Sequence, residues 1–207
     1  MLKKHCLFVL FLLAISTLTM AQNCNHINLS LKYNYKISVV KKKDEDDFLR
    51  TTKIIVEIMN KSTKKAVQRI IISEDLDLME SDYTDCNYSR SYVTSKSIKK
   101  QDTEDGINQD IVVGDINFDG KEDLAIKVAS GNSGTLYKFF AMTKEGLFQE
   151  DNFLHKNVGY YPNEMNSKNK TITTWRPLGV DGVTQSVFKY DEALQKWKMI
   201  KRQYKNI

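Results

Sequence analysis

The chain has 207 residues, of which 28% are charged and 41% hydrophobic, and a formal net charge of +5. A surplus that small, with the basic residues forming no long stripe in the sequence, does not argue for a nucleic-acid footprint. The length is enough for one domain with a sizeable core. In chain order, the first element is a leader. Lys3 and Lys4 precede an apolar run from Cys6 to Ile15, which is too short to span a bilayer. Thr19-Met20-Ala21 then supplies a small-x-small pattern. Residues 1–21 read as a secretory signal peptide cleaved near Ala21, the alternative being an uncleaved N-terminal anchor. Cleavage leaves 22–207 as a single secreted or periplasmic domain with no membrane span and a net charge of +3, because Lys3 and Lys4 leave with the peptide.

Cys6 also leaves, so Cys24 and Cys86 are the remaining pair in an oxidising setting. They are expected to bridge; two free thiols are the alternative. No CxxC or histidine spacing accompanies them to suggest zinc.

The mature chain reads as strands and polar turns. Residues 28–37 alternate partly and are rich in tyrosine, and the charge run 41–47 is expected to end that strand in a solvated loop. The β-branched runs 53–58 and 66–72, with Asn60–Lys65 between them, predict a hairpin. Residues 99–110 form a polar loop. Further strands are expected at 111–113, 124–128, 137–142, 171–175, 185–190 and 197–200. No long stretch has a convincing helical period. Short strands joined by short turns predict an all-β antiparallel meander of hairpins.

The most specific motif joins two of these strands: Asp115-x-Asn117-x-Asp119-Gly120-x-x-Asp123. Hard cations take six to eight oxygen ligands. Here Asp115, Asn117, Asp119 and Asp123 would offer side-chain oxygens, Lys121 its carbonyl, and Gly120 a sharp turn. The site would suit Ca2+ better than a transition metal, since no His or Cys is near. An EF-hand needs an acid at position twelve, and this chain has Ile126 there. The loop instead resembles the calcium loops of integrin-type propeller repeats. The competing reading is an Asp-Gly hairpin turn, which leaves Asp115 and Asp123 as uncompensated like charges.

Downstream lies a Ser/Gly loop, Ser130-Gly131-Asn132-Ser133-Gly134-Thr135-Leu136-Tyr137. By composition alone it is an exposed connection. The order of signal peptide, all-β body, GDINFDGKEDLAI loop, Ser/Gly loop and aromatic meander resembles a family of exported bacterial proteins, over roughly residues 54–204. That family includes calcium-binding, propeller-like immunity proteins that protect against lysozyme-like effectors of type IV secretion. Ser133-Gly134-x-x-Tyr137 also resembles the S-G-x-x-Y motif of periplasmic lysozyme inhibitors. The resemblance implies a propeller-like fold and a lysozyme-like peptidoglycan hydrolase as partner. It also implies that Ser133 approaches the enzyme's carboxylates while Tyr137 braces the loop. On this reading the protein is not an enzyme. The alternative is a calcium-stabilised β scaffold for adhesion or glycan binding, using Trp175, Trp197, Tyr160 and Tyr161. His26 and His155, the only histidines past the leader, sit in no nucleophile motif.

Overall fold

The computed structural model describes residues 20–93, 108–131, 134–178 and 182–206. The leader before Met20 and the pair Asn132-Ser133 lie outside the described residues. The described residues form three sheets, and the all-β reading holds. The first contains β1 (Met20–His26), β2 (Tyr33–Lys43), β3 (Leu49–Asn60) and β4 (Ala66–Ile72) in meander order. The central one contains β5 (Ser89–Ser91), β6 (Ile111–Gly114), β7 (Asp123–Ala129), β8 (Leu136–Met142) and β9 (Phe148–Glu150). The third contains β10 (Glu164–Asn166), β11 (Thr171–Pro177), β12 (Gly182–Asp191) and β13 (Lys196–Asn206). All neighbours are antiparallel except β5 and β6. Among the described residues no helix is long and apolar enough to cross a membrane.

Strand pleating explains how the layers stack. On β6 and β7, Ile111, Val113, Leu124 and Ile126 join the side chains of β2–β4 in one core, while Val112 and Ala125 face the other way. That second core adds Tyr137, Phe139, Tyr161, Ile172, Phe188 and Trp197. The central strands are thus covered on both faces. This is why they read as continuous apolar runs rather than alternating ones.

Two expectations change. Residues 28–32 are not strand: Ser30 Oγ accepts bonds from the backbone N–H groups of Lys32 (2.9 Å) and Tyr33 (2.7 Å), making a turn before β2. Lys41-Lys42-Lys43 are not solvated loop but the last three residues of β2, and the turn comes at 44–48. Lys41 falls on the inward register with Tyr35, Ile37 and Val39 and is buried. Its Nζ donates to the carbonyls of Glu80 (2.6 Å) and Asp82 (2.9 Å), and burial lowers its pKa. β1, β5, β10 and a single π-helical turn at Leu154–Val158 were not anticipated. That turn begins where Asp151 Oδ1 accepts from the N–H groups of Phe153 and Leu154, and ends at Gly159, with φ +67°.

Cys24 on β1 and Cys86 form a disulfide, with Cα atoms 5.2 Å apart. This matches the expected pairing and is compatible with an exported protein.

Candidate functional site

The acidic loop connects β6 to β7, whose last paired residues are Gly114 and Asp123. Its side chains organise its own backbone. Asp115 accepts from the N–H groups of Asp119 (2.9 Å) and Gly120 (3.0 Å), and Asn117 Oδ1 accepts from Asp119 N–H (3.0 Å). Asp119 accepts from Lys121 N–H (2.9 Å) and pairs with its ammonium at 3.3 Å. Gly120 takes φ +83°, a conformation that side chains disfavour. Asp123 lies deepest, 2% exposed. One of its oxygens accepts from Ile116 and Asn117 N–H, the other from Met142 N–H on β8. Burial pushes its pKa up to about 7, helped by the charges of Asp119 and Asp115; burial also raises Asp115.

The donor set is all oxygen and suits a hard cation in its chemistry. The carboxylates turn toward backbone N–H groups, however, and among the described residues no three His, Cys, Asp or Glu side chains are grouped to hold a metal ion. What the loop visibly does is join the three sheets. Glu122 accepts from the Ser30 hydroxyl and from Leu31 N–H (3.2 Å) ahead of β2. Asp123 holds β8. Phe118 meets Trp197 of β13 edge-on at 6.3 Å, and Lys170 donates to the Phe118 carbonyl at 3.5 Å.

Both roots of the Ser/Gly loop are bonded, the upstream one half-buried and the downstream one buried. Ser130 donates its hydroxyl to Asp82, and its N–H goes to the Asp77 carbonyl at 3.0 Å. Thr135 is buried, with Oγ1 3.2 Å from Asn108 Oδ1. Tyr137 is a core residue: its hydroxyl donates to the Gln109 carbonyl (2.8 Å) and its N–H to the Gly159 carbonyl (2.7 Å). Gly134 has φ +103°, and a Cβ there would sit 3.0 Å from the Tyr160 ring. The turn and the close approach both require glycine. Ser133, the residue implied to enter a target, lies outside the described residues.

Beneath these roots is a group that the sequence reading passed over. Lys127 Nζ lies 3.0 Å from Asp82 Oδ1 and 2.5 Å from Asp110 Oδ1, all three side chains being nearly inaccessible. Tyr83 donates to the Lys127 carbonyl at 2.7 Å. The trio borders a cavity of about 410 Å³ that also reaches Ser130, Gly131 and Thr135. A lysine interrupting the apolar run Leu124–Val128 was the available signal.

The remaining candidates are dispersed. Tyr161 and Trp197 are core, and Trp175 lies under Lys205, whose Nζ is 4.3 Å from the ring centroid. His26 is buried in β1, while His155 Nδ1 faces the Tyr137 carbonyl at 3.3 Å and Nε2 faces Asp75 at 3.6 Å. A second cavity, about 650 Å³, opens between the acidic loop and the third sheet, where Asn117, Asp119, Asp151, Phe153 and Tyr190 line it.

No protein-family model matches the chain, and no curated protein matches it. Among solved structures it is similar to one described as the structure of a Xanthomonas type IV secretion system related protein. That likeness has a TM-score of 0.49 and 13% identity, covering 90% of this chain and 88% of the other. It is too remote to assign a function.

Proposed function

We propose that the mature chain is an exported binding protein that inhibits a lysozyme-like peptidoglycan hydrolase by occlusion, without covalent chemistry. The Ser/Gly loop is the inserting element and Ser133 the residue that would approach the target's carboxylates. The observation that supports this is the anchoring of the loop at both roots, by Ser130 on Asp82 and by Thr135 and Tyr137 on the 108–109 segment. A loop held at both roots loses less conformational entropy on entering a cleft. A hydroxyl with neighbouring N–H groups can satisfy a pair of carboxylates. The test is lysis of cell walls by a panel of lysozyme types with and without the mature protein. At least one type is expected to be inhibited, and Ser133→Tyr should weaken that inhibition by about tenfold or more, roughly 1.4 kcal/mol. No inhibition of any type, or full inhibition by Ser133→Tyr, rejects loop insertion. The 650 Å³ cavity favours a second reading, glycan binding. Retention on insoluble peptidoglycan that Tyr190→Ala abolishes, without inhibition, would select it.

The proposal includes a structural Ca2+ in the acidic loop, held by Asp115, Asn117, Asp119, the Lys121 carbonyl and Asp123. Support comes from the oxygen-only donor set and from the spacing of its carboxylates along the loop, two of them raised by burial. Chelation at pH 7.5 is expected to lower the melting temperature by about 5–10 °C for a site held near a hundredfold excess over Kd. Asp115→Ala should remove that response. Asp123 determines how the chelated protein responds to pH. Its folded pKa of about 7 exceeds the ordinary 3.8, so between those values the folded chain keeps a proton that the unfolded chain releases. This contribution, about 4 kcal/mol, is complete below pH 3.8 and is lost as pH rises to about 7. Chelated protein should therefore melt higher at pH 5 than at pH 7.5, and calcium should matter most at pH 7.5. A melting curve indifferent to chelator leaves the loop as a hydrogen-bonded turn.

A further inference from the structure

The last strand combines three properties that the inhibitor reading does not use. β13 spans Lys196–Asn206 and is the outermost strand of its sheet, paired only with β12. At 11 residues it is the longest sheet edge described, against 7 for β1 and for β4 and 3 for β5, β9 and β10. Among the described residues, no backbone hydrogen bond from β13 reaches any segment except β12. A strand on the outside of a sheet leaves half its N–H and C=O groups directed at solvent.

The second property is charge. β13 carries Lys196, Lys198, Lys201, Arg202 and Lys205 and no carboxylate. The whole chain has 31 basic and 26 acidic side chains, so everything outside this strand balances at 26 of each. Among the described residues none of the five lies within 4.0 Å of a carboxylate. The third property is apolar exposure. Met199 is 36% exposed, Ile200 52% and Tyr204 53%. Lysines on an edge commonly serve to block accidental pairing. One or two suffice for that, and a blocked edge has no use for three exposed apolar side chains between them.

We propose that β13 is a docking edge for an extended acidic segment of another protein, which joins the third sheet as a fifth strand. The ladder would supply affinity independent of sequence, the cations would select an acidic partner, and Met199, Ile200 and Tyr204 would contact its apolar side chains. The anchor is firm: β12 and β13 pair from Gly182↔Asn206 to Asp191↔Lys196, interrupted by one bulge at Ile200, and Trp197 packs against Tyr190 at 5.1 Å. This surface is separate from the Ser/Gly loop, so either reading can fail alone.

The probe is an eleven-residue peptide of alternating glutamate and valine, titrated against the full mature protein by fluorescence anisotropy. Hydrogen exchange over residues 196–206 is followed in parallel. Saturable binding is expected, with new protection of β13 amides. A glutamate–proline peptide of equal charge cannot continue a ladder and should bind at least tenfold more weakly to the same wild-type protein. The triple substitution Lys198→Glu, Lys201→Glu, Arg202→Glu should weaken the valine peptide by at least tenfold. Equal binding of the two peptides, no binding of either, or outward-directed β13 amides already protected in the free protein overturns the proposal. Binding to phosphatidylglycerol vesicles but not to the peptide overturns it in favour of an anionic membrane surface.

Discussion

Lys127→Ala is expected to destabilise the protein by about 3–5 kcal/mol, read from urea denaturation of the mature chain. Lys127 is the shared partner of Asp82 and Asp110, and removing it leaves two carboxylates facing each other in a nearly dry site. Burial already raises the Asp110 carboxyl, and the lysine is the main influence holding it down. The cost comes from the carboxylates left behind, because an intact buried ion pair adds little over apolar groups of the same size. Lys127→Met combined with Asp82→Asn and Asp110→Asn should therefore recover much of the loss. Ser130 donates to Asp82, so the single variant should also loosen the upstream root of the Ser/Gly loop and speed amide exchange there. A loss below about 1 kcal/mol would show that water reaches the trio and screens it.

The second large effect concerns the bridge. Cys24 and Cys86 are 62 residues apart, and closing a loop of that length restricts the unfolded chain by about 4 kcal/mol. The double variant Cys24→Ala, Cys86→Ala should lose that amount, and for a domain of this size its melting point should fall by about 8–16 °C. β1 should suffer first. It is an edge strand held by β2 alone, and Cys24 ties it to the segment that leads into β5. A reducing agent should reproduce the shift in the wild type and leave the double variant unchanged. Equal stability of the two proteins under oxidising conditions would mean that the thiols are not joined in solution.

The two predictions differ in how far they could be foreseen. Cys24 and Cys86 were the only cysteines left after the leader, so counting and compartment sufficed. Lys127 was one polar residue in the apolar run Leu124–Val128, and nothing local records that Asp82 and Asp110 meet it there. Lys41 misled in the same way. A run of three lysines before four acids reads as a solvated loop, but β2 runs on through Lys43 and carries Lys41 inward to two carbonyls.

What the sequence determined is local. The β-branched runs specify strands, since period two and branched side chains act within a few residues. The spacing Asp115-x-Asn117-x-Asp119-Gly120 specifies a self-bonded loop, because each of those side chains bonds backbone within five residues of itself. The tertiary structure decided what depends on partners far along the chain. It placed the acidic loop against all three sheets and put Lys127 between residues 82 and 110. It also left β13 as an outer strand, turning five scattered cations into one basic edge. Such contacts arise only once sheets stack and lower the local dielectric, so whether a charge is paired, buried or presented is decided by fold geometry rather than by neighbours in sequence.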